Sequence, residues 1–198
     1  MSIQFPEKAL FSNTILDDVA FGPINMGLSR ERARERALEA ISAVGLDEEL
    51  LNRHPRTLSH GQRRLASLAG VIAVKPRFLF LDEPTAGLDS KGKEHIAGIL
   101  ADINEGGTGI IVASHDLHHL LGRCGRLIVL DRGRIAIDGR PGELVYAENV
   151  ESLGLTLPCS LLAARWLGSR GIPAPWNVDP EVVSEQIRRI RDEAARPD

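Results

Sequence analysis

Up to residue 27 the pattern of apolar and polar positions is interrupted by Pro6, Gly22, Pro23 and Gly27. This predicts a loop-rich start with one short apolar stretch at Ile15–Phe21. A helical period then takes over. Ala33, Ala37, Leu38, Ile41 and Val44 mark one face of a helix over Arg30–Val44, with Ser29 as N-cap and Gly45 as its stop. A second helix is expected over Gly61–Val74, because Pro76 forbids its continuation. The period changes again at Phe78-Leu79-Phe80-Leu81, a continuous apolar run that suits a strand buried on both faces of a parallel sheet. There follow a helix over Ser90–Ile103 closed by Gly106-Gly107, a second buried strand at Ile110–Ala113, and a short helix from Asp116. Leu127–Leu130 and Ile135–Ile137 flank Asp131-Arg132-Gly133 and read as a hairpin. Strands alternating with helices predict an α/β sheet that turns antiparallel at this hairpin. From about Glu148 a Pro/Gly-rich stretch and a charged helix, Pro180–Ala195, look like an appended C-terminal segment.

Composition narrows the class without altering that outline. At about 100–200 residues per domain, 198 residues suffice for one domain with a core and a small appendage. Hydrophobic residues at 43% and charged residues at 26% are those of a globular chain, and aromatics at 4% require an aliphatic core. A net charge of -3 argues against a nucleic-acid partner. The longest apolar run, Leu68–Val74, is far below the roughly 18 residues that span a bilayer, and the first residues do not have the pattern of a secretory signal. Cys124 and Cys159 lack CxxC spacing, so a reducing compartment is the expectation.

The chemistry concentrates at Asp82-Glu83. A buried strand ending in two carboxylates delivers them to the C-terminal edge of a sheet, where α/β proteins bind ligands. An acidic helix start is the competing explanation for that pair alone. The pair, however, stands in an ordered series: Leu58-Ser59-His60-Gly61-Gln62 before it, Ala86-Gly87-Leu88-Asp89 after it, and Ser114-His115-Asp116 beyond the next strand. This series resembles the signature motif, Walker B, D-loop and switch histidine of the ATP-binding cassette (ABC) ATPases, over roughly residues 1–147.

The resemblance implies roles residue by residue. Ser59, Gly61 and Gln62 would contact the γ-phosphate of ATP held by an opposite subunit, at a helix start whose N–H groups favour anions. His60 stands where the family has its first signature glycine. Asp82 would be the Mg²⁺ carboxylate, Glu83 the general base, Asp89 the D-loop residue at the dimer interface, and His115 the switch histidine. Gln4 matches the Q-loop glutamine, which in the family senses Mg²⁺ and the attacking water. A metal cluster through His115, His118 and His119 is the weaker reading of that stretch, as is a metal-binding role for His60. Gly87-x-x-x-x-Gly92-Lys93 imitates a Walker A loop, but Glu94 replaces the hydroxyl residue and the stretch overlaps the D-loop.

The run Gln4-Phe5-Pro6-Glu7, then Thr14-Ile15-x-x-Asp18-Val19-Ala20-Phe21-Gly22-Pro23, looks like the energy-coupling-factor ATPases, which power uptake of vitamins or of cobalt and nickel ions. Glu83–Asp89 and the turn at Leu155–Pro158 fit the same group. Its architecture implies ATP and Mg²⁺, a second ATPase subunit as homo- or heterodimer, a transmembrane coupling subunit, a separate substrate-capture membrane subunit, and a peripheral position on the cytoplasmic face of the membrane. Phe11, Ile15, Val19 and Phe21 are then candidates for the coupling groove, with ordinary helix packing as the alternative.

The implied fold is an α/β P-loop NTPase (ABC ATPase) fold that is incomplete: a helical subdomain plus the C-terminal part of the RecA-like sheet, without the Walker A strand-loop-helix. The expected division is residues 1–147 as a partial ATPase domain (about 8–75 helical, 76–147 from Walker B to the switch histidine) and 148–198 as an extension. Met1 lies just before Gln4, and no Gly-x-x-x-x-Gly-Lys-Ser/Thr occurs. The expectation is a shortened or misplaced start of a full ATPase. The alternatives are a partner subunit that donates only its signature motif to a complete ATPase, and an ATPase of another importer class.

Overall fold

A computed structural model of the chain describes residues 10–118, 121–145, 150–171 and 180–194. These fall into two compact units, one ending at Ser114 and one beginning at His115. The first unit opens with α1 (Ile15–Asn25), where the sequence predicted loop. Thr14 caps the helix by accepting from Asp17 N, and Asp17 and Asp18 sit in the first turn, where carboxylates favour the positive end of the helix dipole. The amides of Ile15 and Leu16 donate to the Arg53 and Leu51 carbonyls, so the helix start borrows acceptors from a remote loop. Pro23 inside the helix forfeits one bond, a cost offset by burying Ile15, Leu16, Val19 and Ala20 against the neighbouring helices. A Cβ at Gly22 would lie 2.8 Å from Val74 Cγ1, so the glycine that resembled a breaker makes room for the Val74 side chain instead.

The next helices match expectation closely. α2 (Arg30–Ala43) is capped by Ser29, and it buries Ala33, Ala37, Ala40 and Ile41. It ends at Gly45 in the left-handed region (φ 67), with Leu46 N donating back to Ile41 O, a Schellman closure. α3 (His60–Ile72) starts at Ser59 and joins the same core.

β1 (Phe78–Asp82) and β2 (Gly109–Ala113) are a parallel pair in the register Phe78↔Gly109 to Asp82↔Ala113, connected through α4 (Ser90–Glu105). Burial on both faces is not what the pair shows. Leu79 is inside, whereas Phe78, Phe80 and Ile111 are exposed, because among the described residues only one side of the pair meets helices. A continuous apolar run does not say how many faces will be covered.

In the second unit β3 (Leu127–Asp131) and β4 (Arg134–Gly139) form an antiparallel hairpin, which is a separate two-stranded sheet and not a continuation of the first. Arg132 and Gly133 both have positive φ (48 and 75), the two-residue turn that suits strand twist. The helix expected from Asp116 is absent among the described residues. Asp116 Oδ1 accepts from His118 N in an Asx turn that competes with helix formation, and only a 3-10 turn at Leu121–Arg123 follows. Beyond the hairpin, α5 (Cys159–Gly168) occupies part of the stretch predicted as Pro/Gly-rich irregular chain, and α6 (Pro180–Ala194) matches the charged helix. Leu117, Leu121, Val129, Leu144, Val150, Leu157, Leu161 and Ala164 make a core for this unit. No described helix is long and apolar enough to cross a membrane.

Candidate functional site

The start of α3 is a capping box. Ser59 Oγ accepts from Gln62 N at 3.2 Å, and Gln62 Oε1 accepts from Ser59 N at 2.9 Å. The sequence assigned Gln62 to nucleotide contact; its side-chain oxygen is engaged in shaping the helix start. His60 and Gly61 occupy the first turn, where amide N–H groups point out along the helix axis. Among the described residues nothing lies within 4 Å of the position a Gly61 Cβ would take, so their packing does not demand this glycine. The His60 ring lies beside Gly87, with Cε1 3.9 Å from where a Cβ would be.

Asp82 and Glu83 stand at the end of β1. Glu83 N donates to Ala113 O at 2.8 Å and extends the parallel ladder one step beyond the strand. Its φ of 46 is left-handed, an uncommon state for a residue with a Cβ that is found preferentially at functional sites. Ser114 Oγ donates to Glu83 Oε2 at 3.0 Å, so the carboxylate is steered by the residue that follows β2. Asp82 is half-buried, and among the described residues its carboxylate accepts no hydrogen bond.

The loop from Glu83 into α4 has its own short bonds, Ala86 N to Glu83 O and Leu88 N to Thr85 O. It ends at Asp89, whose Oδ1 accepts from Gly92 N at 2.8 Å and caps α4. That cap also accounts for the Walker A look-alike, which folds as a turn and a capped helix start. His115 is exposed and begins the second unit, directly after Ser114. Gln4 lies outside the described residues, as does His119; among the described residues no cluster of His, Cys, Asp or Glu could hold a metal ion.

The structure therefore assembles Ser59, Gly61, Gln62, Asp82, Glu83 and Asp89 on one compact unit. Arg64 was missed. It is buried on α3, donating Nη1 to Ala86 O and Nη2 to Glu83 O. Its signal was available, since position 64 shares the helix face of Ser67 and Leu68, where a charged residue needs a partner. Of the four residues proposed for a groove, Ile15 and Val19 are core, while Phe11 and Phe21 form an exposed edge-to-face pair with centroids 4.8 Å apart.

Comparison with known proteins adds to this geometry. Residues 2–86 match the family model described as ABC transporter. The chain is 42% identical over 177 residues to the energy-coupling factor transporter ATP-binding protein EcfA2 of Caldanaerobacter subterraneus subsp. tengcongensis, covering 88% of this chain and 62% of that protein. It is 39% identical over 191 residues to EcfA2 of Symbiobacterium thermophilum, covering 95% of this chain and 65% of that protein. Among solved structures it resembles cbiO1 from Clostridium perfringens, part of the ABC transporter complex cbiONQ (TM-score 0.64, 36% identity, 79% of this chain and 63% of that one). It also resembles the dimeric ATP-binding cassette MJ0796 in a post-hydrolysis state bound to ADP and Pi (TM-score 0.57, 30% identity, 67% and 61%). The chain thus spans less than two thirds of the length of these relatives.

Proposed function

We propose that this chain, whose sequence and fold are those of an ABC transporter ATPase domain, is the ATP-binding and ATP-hydrolysing subunit of an energy-coupling-factor importer for a metal ion such as cobalt or nickel, or for a vitamin. The observation that carries the reading is the end of β1, where a left-handed Glu83 holds its carboxylate in a hydrogen bond from Ser114 beside an uncommitted Asp82. Glu83 is assigned the role of accepting the proton from the attacking water, with Ser114 restricting its rotamers. Asp82 fits a divalent ion held through water, because its carboxylate is half-buried and unengaged by other described groups. When bound, Mg²⁺ neutralises charge on the β- and γ-phosphates. Ser59 and Gly61 are assigned to the γ-phosphate of a nucleotide on a second ATPase subunit, where the outward N–H groups of α3 meet negative charge. His115 and Gln4 are assigned to the attacking water, Gln4 to Mg²⁺ as well, and Asp89 to the subunit interface. The exposed Phe11 and Phe21 are assigned as apolar surface for a helix of a membrane coupling subunit, and the chain is read as peripheral on the cytoplasmic face, with a separate substrate-capture subunit in the same assembly.

The test is ATP binding and hydrolysis by the 198-residue chain, alone and with a candidate ATPase partner. In the assembly that turns over, Glu83→Gln lowers kcat by about 10²–10⁴-fold and leaves ATP-driven pairing intact. Retained turnover removes Glu83 from the role of base. Absence of nucleotide binding and of pairing overturns the function. The capped start of α3, formed within this chain, favours one second reading, a subunit that donates its signature motif in trans to a complete ATPase. That reading predicts turnover only with the partner, insensitive to Glu83→Gln and lost in Ser59→Arg.

A further inference from the structure

Arg64 is buried, at 6% exposure. Its guanidinium is cationic, and among the described residues no carboxylate neutralises it. Among the described residues two backbone carbonyls, of Glu83 and Ala86, are its acceptors, and its Nε is buried without a partner. A buried cation satisfied in this partial way is costly to desolvate, so its place in the fold calls for a geometric explanation.

The two carbonyls it holds supply one. Both belong to the short loop joining β1 to α4, and one belongs to Glu83 itself. The Glu83 carbonyl accepts from Arg64 Nη2 at 3.3 Å and from Ala86 N at 3.2 Å. Two donors from different directions fix the plane of the Glu83–Pro84 peptide, and with it the ψ of the residue whose φ is 46. Release of that plane would let Glu83 relax to the ordinary extended region and swing its carboxylate off Ser114. Loop bonds alone span few residues and would not resist this, whereas the anchor is a well-packed helix.

We propose that Arg64 is a positioning residue that holds the Glu83 peptide in its left-handed conformation, and so fixes the carboxylate at the end of β1. The catalytic consequence rests on the reading of Glu83 as general base; the positioning itself does not.

Native-state hydrogen exchange on the full chain tests it with Arg64→Met and Arg64→Lys. Ala86 and Leu88 amides should lose about tenfold or more in protection in Arg64→Met, with the Val44 and Ala73 amides of the helical core unchanged and part of the loss restored by lysine. Unchanged Ala86 and Leu88, or a loss that runs in step with Val44 and Ala73, overturns the proposal. Should the variants not fold, the wild-type chain still decides: separate, slowly exchanging Arg64 Nη–H resonances are expected, and a freely rotating, averaged guanidinium contradicts it. In an assembly that hydrolyses ATP, Arg64→Lys should lower kcat with KM for ATP unchanged, and a change confined to KM counts against positioning. A wild-type assembly without turnover counts against the function proposed above and leaves the exchange result standing.

Discussion

At Glu83 the backbone carries strain that a glycine would avoid, and the surrounding bonds over-determine it: the ladder bond to Ala113, the Ser114 hydroxyl on the carboxylate, and Arg64 on the carbonyl. Single residues elsewhere do simpler electrostatic work. The Arg126 guanidinium grips Asp138 with Nε–H and Nη2–H, each 2.8 Å from a carboxylate oxygen, and holds that carboxyl below the ordinary aspartate range. Because the folded pKa is lower than the unfolded one, the stabilisation is full above about pH 4 and is lost as pH falls through the folded value. Both side chains are solvent-exposed, so the effect is local and screened by salt. A carboxyl titration followed by NMR should therefore show a lower Asp138 midpoint in the wild type than in Arg126→Gln, with the gap narrowing at about 1 M salt. Coincident midpoints would contradict the pairing. Cys124 behaves in the opposite sense, since burial pushes its thiol up and keeps it protonated.

Elements formed where local capping and periodicity agreed, and misled where they did not. Ser29, Ser59 and Asp89 cap α2, α3 and α4 at positions readable from the chain, and Gly45 stops α2 as expected. α1 was hidden by Gly22 and Pro23. Its amides are satisfied by a loop near residues 51–53, and its glycine makes room for Val74, neither of which local sequence can express. The β3–β4 hairpin offers a clean test of turn chemistry. Arg132 pays the left-handed cost at φ 48 in a turn whose preferred first residue is asparagine. Arg132→Asn should stabilise the hairpin by about 0.5–1 kcal/mol, read as increased exchange protection of the Asp131 and Arg134 amides that flank the turn. Unaltered or reduced protection would show that the turn is not the limiting feature.

At the scale of the whole molecule the described chain has two cores, one for the unit ending at Ser114 and one for the unit beginning at His115. Separate cores predict separate responses. Leu161→Ala removes a fully buried side chain from the second core at about 2–5 kcal/mol. Amides of β3, β4 and α5 should lose protection accordingly while those of α1–α3 keep theirs, and a parallel loss in both would mean that the units unfold together. The division at 114/115 was not legible in composition, which changes only near Glu148, because a unit is defined by which side chains share a core. By itself the sequence determined the order of motifs, their placement at helix starts and strand ends, and the carboxylate pair at Asp82-Glu83, since caps, periodicity and turn residues act over a few neighbouring positions. Only the tertiary structure decided that α1 is a helix, that β1 and β2 bury a single face, that Gln62 closes a capping box, and that Arg64 reaches the carbonyl of Glu83. Each of these depends on a contact between residues brought together by folding or on the covering of a face by another element, and the free energy of such a contact exists only once the packing partner is in place.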